Sequence, residues 1–359
     1  GRNNIYSDNY PESLCPDIGN GATLQVSLTN GNKLVRSISR NSVQSVPAKR
    51  TVIQSQSGSI LVSGEGINSL AWITKSGVWA GGITCLSAQS EQYFVGGSAD
   101  VSSKSQLILA NSGLGNSTVD VTVFSESNAS FKKTLIVKKN QTMNIPIVSL
   151  APGSKSVALK VVPRTGRVSA FLVDERGKGL KALGGDTVNS QSALSKTVNI
   201  PAIPHTFSFE KTHILRILNP SSVSANISAE LVSADGRYVP IGMDNRSIAP
   251  DRVTDISFDV DSKNSVFGLI INSDQPIAAS VYSRVLSQNK TDFVWSTSVN
   301  PGELGTWAVS GLSPVLVITG NSIKATVVVI MPGAKKLSKN IDGSDIASYR
   351  IPNGALGLQ

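Results

Sequence analysis

Leu107-Ile108-Leu109-Ala110-Asn111 returns as Leu215-Arg216-Ile217-Leu218-Asn219, a step of 108 residues. The next run keeps that step. Val119, Val121 and Val123 become Ile227, Ala229 and Leu231, while Asp120 and Thr122 between them become Ser228 and Glu230. One residue further out of step, Val157-Ala158-Leu159-Lys160-Val161-Val162 lies over Val266-Phe267-Gly268-Leu269-Ile270-Ile271, and Val168-Ser169-Ala170-Phe171-Leu172 lies over Ile277-Ala278-Ala279-Ser280-Val281. Apolar residues alternating with period two mark half-buried strands. Residues 105–176 are therefore a unit of short strands that the chain uses again.

Outward from that unit, 22–75 reads as a shortened copy without a clear first strand. Leu24-Gln25-Val26-Ser27-Leu28 alternates and reaches Asn30-Gly31, a hairpin signal because both turn positions favour positive φ. Ile60-Leu61-Val62 and Leu70-Ala71-Trp72-Ile73 match the later elements, Ala71-Trp72 falling on Ala170-Phe171. Asp235-Gly236 fills the hairpin slot after Leu231-Val232, and Pro332-Gly333 fills it after Val329-Ile330. Connectors follow the copies: Trp79 and Trp295 stand 216 residues apart, twice the step. At Val315-Leu316-Val317-Ile318 and Thr326-Val327-Val328-Val329 the unit starts once more.

Strands of this length, with turns between them and no helical periodicity, predict an all-β fold. The expected architecture is tandem Ig-like antiparallel β-sandwich domains, about three pseudo-repeats of about 108 residues. The expected organisation is an extended leader over 1–20, a shortened first sandwich with its connector over 21–104, a second over 105–211 and a third over 212–312. Residues 313–359 form a partial repeat that either completes the N-terminal sandwich or stands as an unfinished domain.

The chain has 359 residues, ample for several cores, and a formal net charge of +9 that favours acidic partners or simply a solvated basic surface. Its two cysteines, Cys15 and Cys85, lack metal-site spacing. A disulfide between them would imply an oxidising compartment and contribute roughly 4 kcal/mol by chain entropy; two buried free thiols are the alternative. No run approaches the ~20 apolar residues of a membrane-spanning helix. The first residue is Gly1 rather than Met, so an upstream segment removed by processing or by design is expected, and a signal peptide and an N-terminal anchor are the two candidates for it.

No catalytic residue and no cofactor emerge. There is no nucleophile elbow, Walker loop or dinucleotide fingerprint, although a pair of carboxylates of the glycosidase kind leaves no sequence trace. His205, Glu210 and His213 form the one His/acid cluster, but on a strand Glu210 points away from the histidines, so no metal site is expected. Asp259 and Asp261 open like a calcium loop, yet Lys263 takes the next ligand slot. Asp174, Glu175, Arg176 and Lys178 form a dense charged patch after a strand and are the candidate binding loop, or an ordinary salt-bridged one. Trp79, Trp295 and Trp307 either stack on sugar rings or seal domain junctions; the matched positions of Trp79 and Trp295 favour junctions. Lysine pairs at Lys132-Lys133, Lys138-Lys139 and Lys335-Lys336 are not interleaved with aromatics, which argues against nucleic acid.

Cys15-Pro16, Phe94-Val95-Gly96-Gly97-Ser98, Val119-Asp120-Val121-Thr122-Val123, Leu150-Ala151-Pro152-Gly153, Gly166-Arg167-Val168-Ser169-Ala170, Asp174-Glu175-Arg176 and Leu218-Asn219-Pro220 together resemble a family of uncharacterised actinobacterial envelope proteins. The resemblance implies export, secreted or membrane-anchored, with genes near cell-wall glycosyltransferases, and no activity. The expectation is a non-catalytic extracytoplasmic scaffold whose partner is a protein of the envelope, a membrane glycosyltransferase by that analogy. The alternatives are a module that binds an anionic or carbohydrate wall polymer, and a glycan-acting enzyme.

Overall fold

The computed structural model describes residues 12–19, 21–28, 33–39, 43–47, 49–54, 58–63, 70–75, 78–179, 181–206, 213–287, 290–300, 302 and 306–359. Strands account for its regular structure, apart from the 3-10 turns Ile147–Ser149 and Pro332–Ala334 among the described residues. The fold is all-β and antiparallel throughout.

Between 92 and 188 the chain builds two four-stranded sheets. One runs Gln92–Val95, Val157–Pro163, Ser117–Ser125, Phe131–Val137 in spatial order; the other runs Gln141–Pro146, Gln106–Asn111, Val168–Lys178, Lys181–Val188. Alternation sends Val119, Val121, Val123, Leu159 and Val161 of the first sheet onto Leu107, Leu109, Ala170 and Leu172 of the second, all buried.

The same pairing order occurs on either side of this unit. In 12–84 one sheet runs Glu12–Cys15, Ile60–Ser63, Lys33–Ser37, Val43–Val46 and the other Arg50–Gln54, Ala22–Ser27, Leu70–Lys75, Trp79–Thr84. In 195–297 the two layers are joined by one 22-residue strand, Val266–Ser287. Its first part pairs with Ser195–Pro204 and Ala225–Ser233, its second with His213–Asn219 and Lys290–Thr297. The order starts once more after 306: Trp307–Ala308, Gly357–Leu358, Ile323–Ile330 and Lys336–Gly343 form one sheet, Val315–Thr319 and Ile346–Arg350 the other.

These pairings correct three expectations. Glu12–Cys15 lies inside the stretch read as a leader, yet it pairs with Ile60–Ser63 as Gln92–Val95 pairs with Val157–Pro163; the first strand that the N-terminal copy was expected to lack is Ala22–Ser27, which pairs with Leu70–Lys75 as Gln106–Asn111 pairs with Val168–Lys178. The C-terminal segment does not complete the N-terminal sandwich: among the described residues its strands pair only with one another. The turn after Leu231-Val232 is centred on Ala234 and Asp235, one residue earlier than expected, because Ser233 pairs with Gly236. The Asn30-Gly31 turn lies outside the described residues.

The units stack in one sense. Ile108, Ala110, Phe171 and Val173, on the outer face of the second unit, join the core of the first. Leu218, Val253 and Ala278 of the third unit pack likewise on Tyr93, Val95, Phe124 and Ala158 of the second. The C-terminal unit meets the third through Asn199 Nδ2, which donates to Thr319 Oγ1 at 3.3 Å, and Arg237 Nε, which donates to Asp345 Oδ1 at 2.7 Å. It also touches the first: Ser310 Oγ donates to Gln25 O at 3.5 Å, and a Cβ on Gly311 would come within 2.9 Å of the Trp72 ring. The contacts therefore close a circuit. A disulfide joins Cys15 to Cys85 across 70 residues. It ties the first strand to the connector, where Leu14 and Leu86 exchange backbone hydrogen bonds.

Asn111 and Asn219 explain why the repeat keeps an asparagine after an apolar run. Asn111 Nδ2 donates to Gly115 O and Val137 O while its Oδ1 accepts from Gly113 N. Asn219 does the same with Val223 O, Ile248 O and Ser221 N. Both are fully buried, so alanine would strand carbonyls and an amide in the core. Asn111→Ala and Asn219→Ala should each cost about 1–3 kcal/mol in urea unfolding.

Candidate functional site

The charged stretch that ends the strand Val168–Lys178 sits where three units meet. On a strand, adjacent side chains point to opposite faces, and Asp174 and Glu175 use both. Asp174 is fully buried and accepts the indole N–H of Trp295 at 2.9 Å, the Ser105 hydroxyl at 2.7 Å and the fork of Arg176 at 2.9 and 2.8 Å. Glu175, facing the other way, accepts the indole N–H of Trp79 at 2.7 Å and pairs with Lys75 at 2.8 Å. One indole comes from the third unit and the other from the first. Arg176, two residues on from Asp174, lies over the rings of Tyr282 and Phe293 at 5.9 and 5.8 Å.

Burial works against the Asp174 charge, but Arg176, Ser105 and Trp295 outweigh it and hold the carboxyl below the usual 3.8. It stays ionised where it is buried. The candidate binding loop is thus divided: Asp174, Glu175 and Arg176 are engaged internally, and Lys178 alone of the four is exposed. Trp79 and Trp295 are 5% and 4% exposed and lie in junctions, which leaves them no face for a sugar ring; Trp307 is 46% exposed.

The strand Lys181–Val188 runs between Trp79–Thr84 and Lys290–Thr297, and its glycines permit the approach. A Cβ on Gly185 would lie 2.8 Å from three atoms of the Trp79 indole. Gly185 N donates to Asp292 Oδ1 at 3.0 Å, and Asp186 Oδ2 accepts Trp295 N at 2.7 Å. Asp186 is buried with no ion-pair partner among the described residues: burial pushes its pKa well above 3.8, the backbone N–H groups of Trp295 and Thr187 oppose this, and Asp292 and Asp174 add to it.

A second charged joint was not anticipated. Arg216 replaces Ile108 in the repeat and is 3% exposed. It forks onto Asp255 at 2.7 and 2.9 Å, donates to Gly97 O and Val157 O of the second unit, and covers the Trp295 ring at 4.9 Å. The available signal was a lone arginine at an apolar position of the repeat.

Beside the hub, Lys75, Trp79, Lys104, Glu175, Arg176 and Lys181 line a cleft of about 310 Å³. Lys104 and Lys181 are exposed and carry no ion pair among the described residues. His205 and His213 do meet, Nδ1 to Nε2 at 3.0 Å, and His213 also bonds Ser283 Oγ at 2.9 Å. Burial, with His205 beside it, pushes His213 down to about 3, and Phe258 and Phe267 enclose its ring. Glu210 lies outside the described residues, and among those described no three His, Cys, Asp or Glu residues are placed to hold a metal. No helix is long and apolar enough to cross a membrane among the described residues, and the disulfide is consistent with an extracellular protein.

Residues 42–342 match the family of unknown function DUF5719. No curated protein and no solved structure matches.

Two measurements check this geometry. Gly185→Ala must displace the Trp79 ring, so urea unfolding should report a loss of about 1–3 kcal/mol. For Asp186, the folded chain holds a proton that the unfolded chain releases, so stability declines as pH rises from 3.8 through the raised folded value. Asp186→Asn should therefore be more stable than the parent at neutral pH, with the gap closing as the pH is lowered to 3.8.

Proposed function

The chain belongs to that family of unknown function, and we propose that it is a non-catalytic extracytoplasmic scaffold of tandem Ig-like β-sandwiches. Its outer surfaces meet a protein partner in the cell envelope, a membrane glycosyltransferase of surface polysaccharide synthesis. One observation carries this reading. Asp174 and Glu175, with the two indoles they hold, lock three units together in the place where the sequence suggested a recognition loop. Side chains that could have served a ligand hold the units in fixed relation instead. Such rigidity presents a surface without an ordering cost when a partner docks. The two antiparallel sheets of each unit, paired in one recurring order, support the Ig-like description. The disulfide suits an oxidising compartment.

Purification of the native protein from membranes in mild detergent tests the proposal. A membrane enzyme of polysaccharide synthesis should co-purify, and Trp79→Ala combined with Trp295→Ala should reduce its recovery at equal loading of folded protein. Recovery of no partner would count against the scaffold, as would turnover of a glycan panel that a single Asp or Glu substitution abolishes.

The cleft supports a second reading, a module that holds an anionic wall polymer on Lys104 and Lys181. Binding to purified polymer at low salt, lost at high salt and in Lys104→Ala/Lys181→Ala, would favour it.

A further inference from the structure

The cleft beside Trp79 opens where the strand Val168–Lys178 passes the first unit. Alternate residues of a strand share a face, and Glu175 and Gly177 both line the cleft. Gly177 puts no side chain there, which leaves the space beside Glu175 unfilled. The register with Lys181–Val188 slips at the same place. Arg176 pairs with Gly184 and Gly177 with Ala182, so Leu183 is an extra residue. Such bulges bend a strand and re-aim its side chains beside sites. At the other edge of Val168–Lys178, Lys104 N donates to Glu175 O and Gly177 N to Ser102 O, both at 2.8 Å. The backbone thereby fixes Lys104 at the cleft.

Positive charge is left over in this concave place. Lys75 is answered by Glu175 at 2.8 Å and Arg176 by Asp174 at 2.8 Å. Lys104 and Lys181, which also line the cleft, have no carboxylate partner among the described residues. Its volume of about 310 Å³ lies at the lower end for a small-molecule pocket, so it takes one small residue rather than a run of chain. Trp79 is 5% exposed and offers no ring face, so a neutral sugar finds no stacking surface. Charge must therefore select the ligand. A carboxylate brings a single negative charge, whereas a phosphate monoester brings about −1.5 to −2 at neutral pH and three acceptor oxygens, which matches the two lysines.

We infer that this cleft binds a phosphate monoester carried on one small polar residue, with Lys104 and Lys181 as its cationic walls. The inference rests on the second reading above for its polymer, which is then held by a phosphorylated end residue; a free sugar phosphate carries the same group.

Calorimetric titration of the 359-residue chain with glucose 6-phosphate tests it, with glucose and glucuronate as controls. Glucose 6-phosphate should bind, glucuronate about tenfold more weakly, and glucose not at all. Lys104→Ala/Lys181→Ala should weaken glucose 6-phosphate by about tenfold or more. Lys133→Ala/Lys336→Ala removes as much charge from sheet edges and should change nothing. Failure of glucose 6-phosphate to bind, equal binding of glucuronate, or equal weakening by the two double variants would overturn the inference.

Purified wall polymer treated with phosphatase separates the sources. Loss of its binding assigns the site to the chain end. Treated polymer that still binds and is not displaced by glucose 6-phosphate overturns the inference and leaves the polymer reading standing. Binding of glucose 6-phosphate without binding of polymer assigns the site to a free sugar phosphate and overturns the polymer reading alone.

Discussion

Two neighbouring carboxylates on one strand, each accepting an indole N–H from a different unit, set the arrangement of this molecule. A strand turns successive side chains to opposite faces, so Asp174 and Glu175 reach in opposite directions at the same height. Trp295 arrives at one and Trp79 at the other. Neither carboxylate could be buried there without its cation: Arg176 forks onto Asp174, and Lys75 pairs with Glu175. Removing any one partner would leave a charge in a poorly solvated place, which is far costlier than never having built the pair. The network therefore specifies how the units are placed more than it adds to the stability of any of them.

The interior of each unit and the surfaces between units follow different rules. Inside, the chain repeats itself, because any unit of this topology must fill the same space and close the same turn; Asn111 and Asn219 satisfy equivalent carbonyls. Between units, the equivalent positions have changed. Ile108 packs on the first unit as an apolar residue, while its counterpart Arg216 reaches across to Gly97 O and Val157 O of the second. The buried Ser105–Asp174 pair becomes His213–Ser283, a contact within the third unit. Each joint is thus chemically distinct, which gives each unit its own neighbours even though the units repeat one order of strands.

This division explains what could be read from the residues beforehand. Period-two alternation exposed the strands and the step of the repeat, because core packing is a local pattern repeated in sequence. Glu12–Cys15 escaped because a four-residue edge strand leaves too short a pattern, and Pro16 follows it. The Asp-Glu-Arg stretch was visible as charge, but its meaning depends on Trp295, 121 residues away, and Trp79, 96 residues away. The two tryptophans stand twice the repeat step apart, but the registers put them out of step: Trp79 pairs with Lys75 and Trp295 with Tyr282, which makes Val294 the counterpart of Trp79. Gly184-Gly185 was a further trace, since glycines within a strand often mark close approach of another backbone or ring.

The positive charge, the feature that most invited a ligand, acquires a more ordinary meaning once the sheets are drawn. Lys132 and Lys133 lie on Phe131–Val137, and Lys336 and Lys339 on Lys336–Gly343, each the last strand of its sheet. Lysine at an edge costs little in the monomer, because its ammonium reaches water, and it penalises pairing with another chain's edge. An excess of basic residues in an all-β chain with several sheets therefore follows from its number of edges before any acidic partner is invoked. What remains for recognition is smaller and more local: Lys104 and Lys181 at the cleft beside Trp79, where the surface is concave and the lysines guard no edge that a neighbouring sheet leaves open.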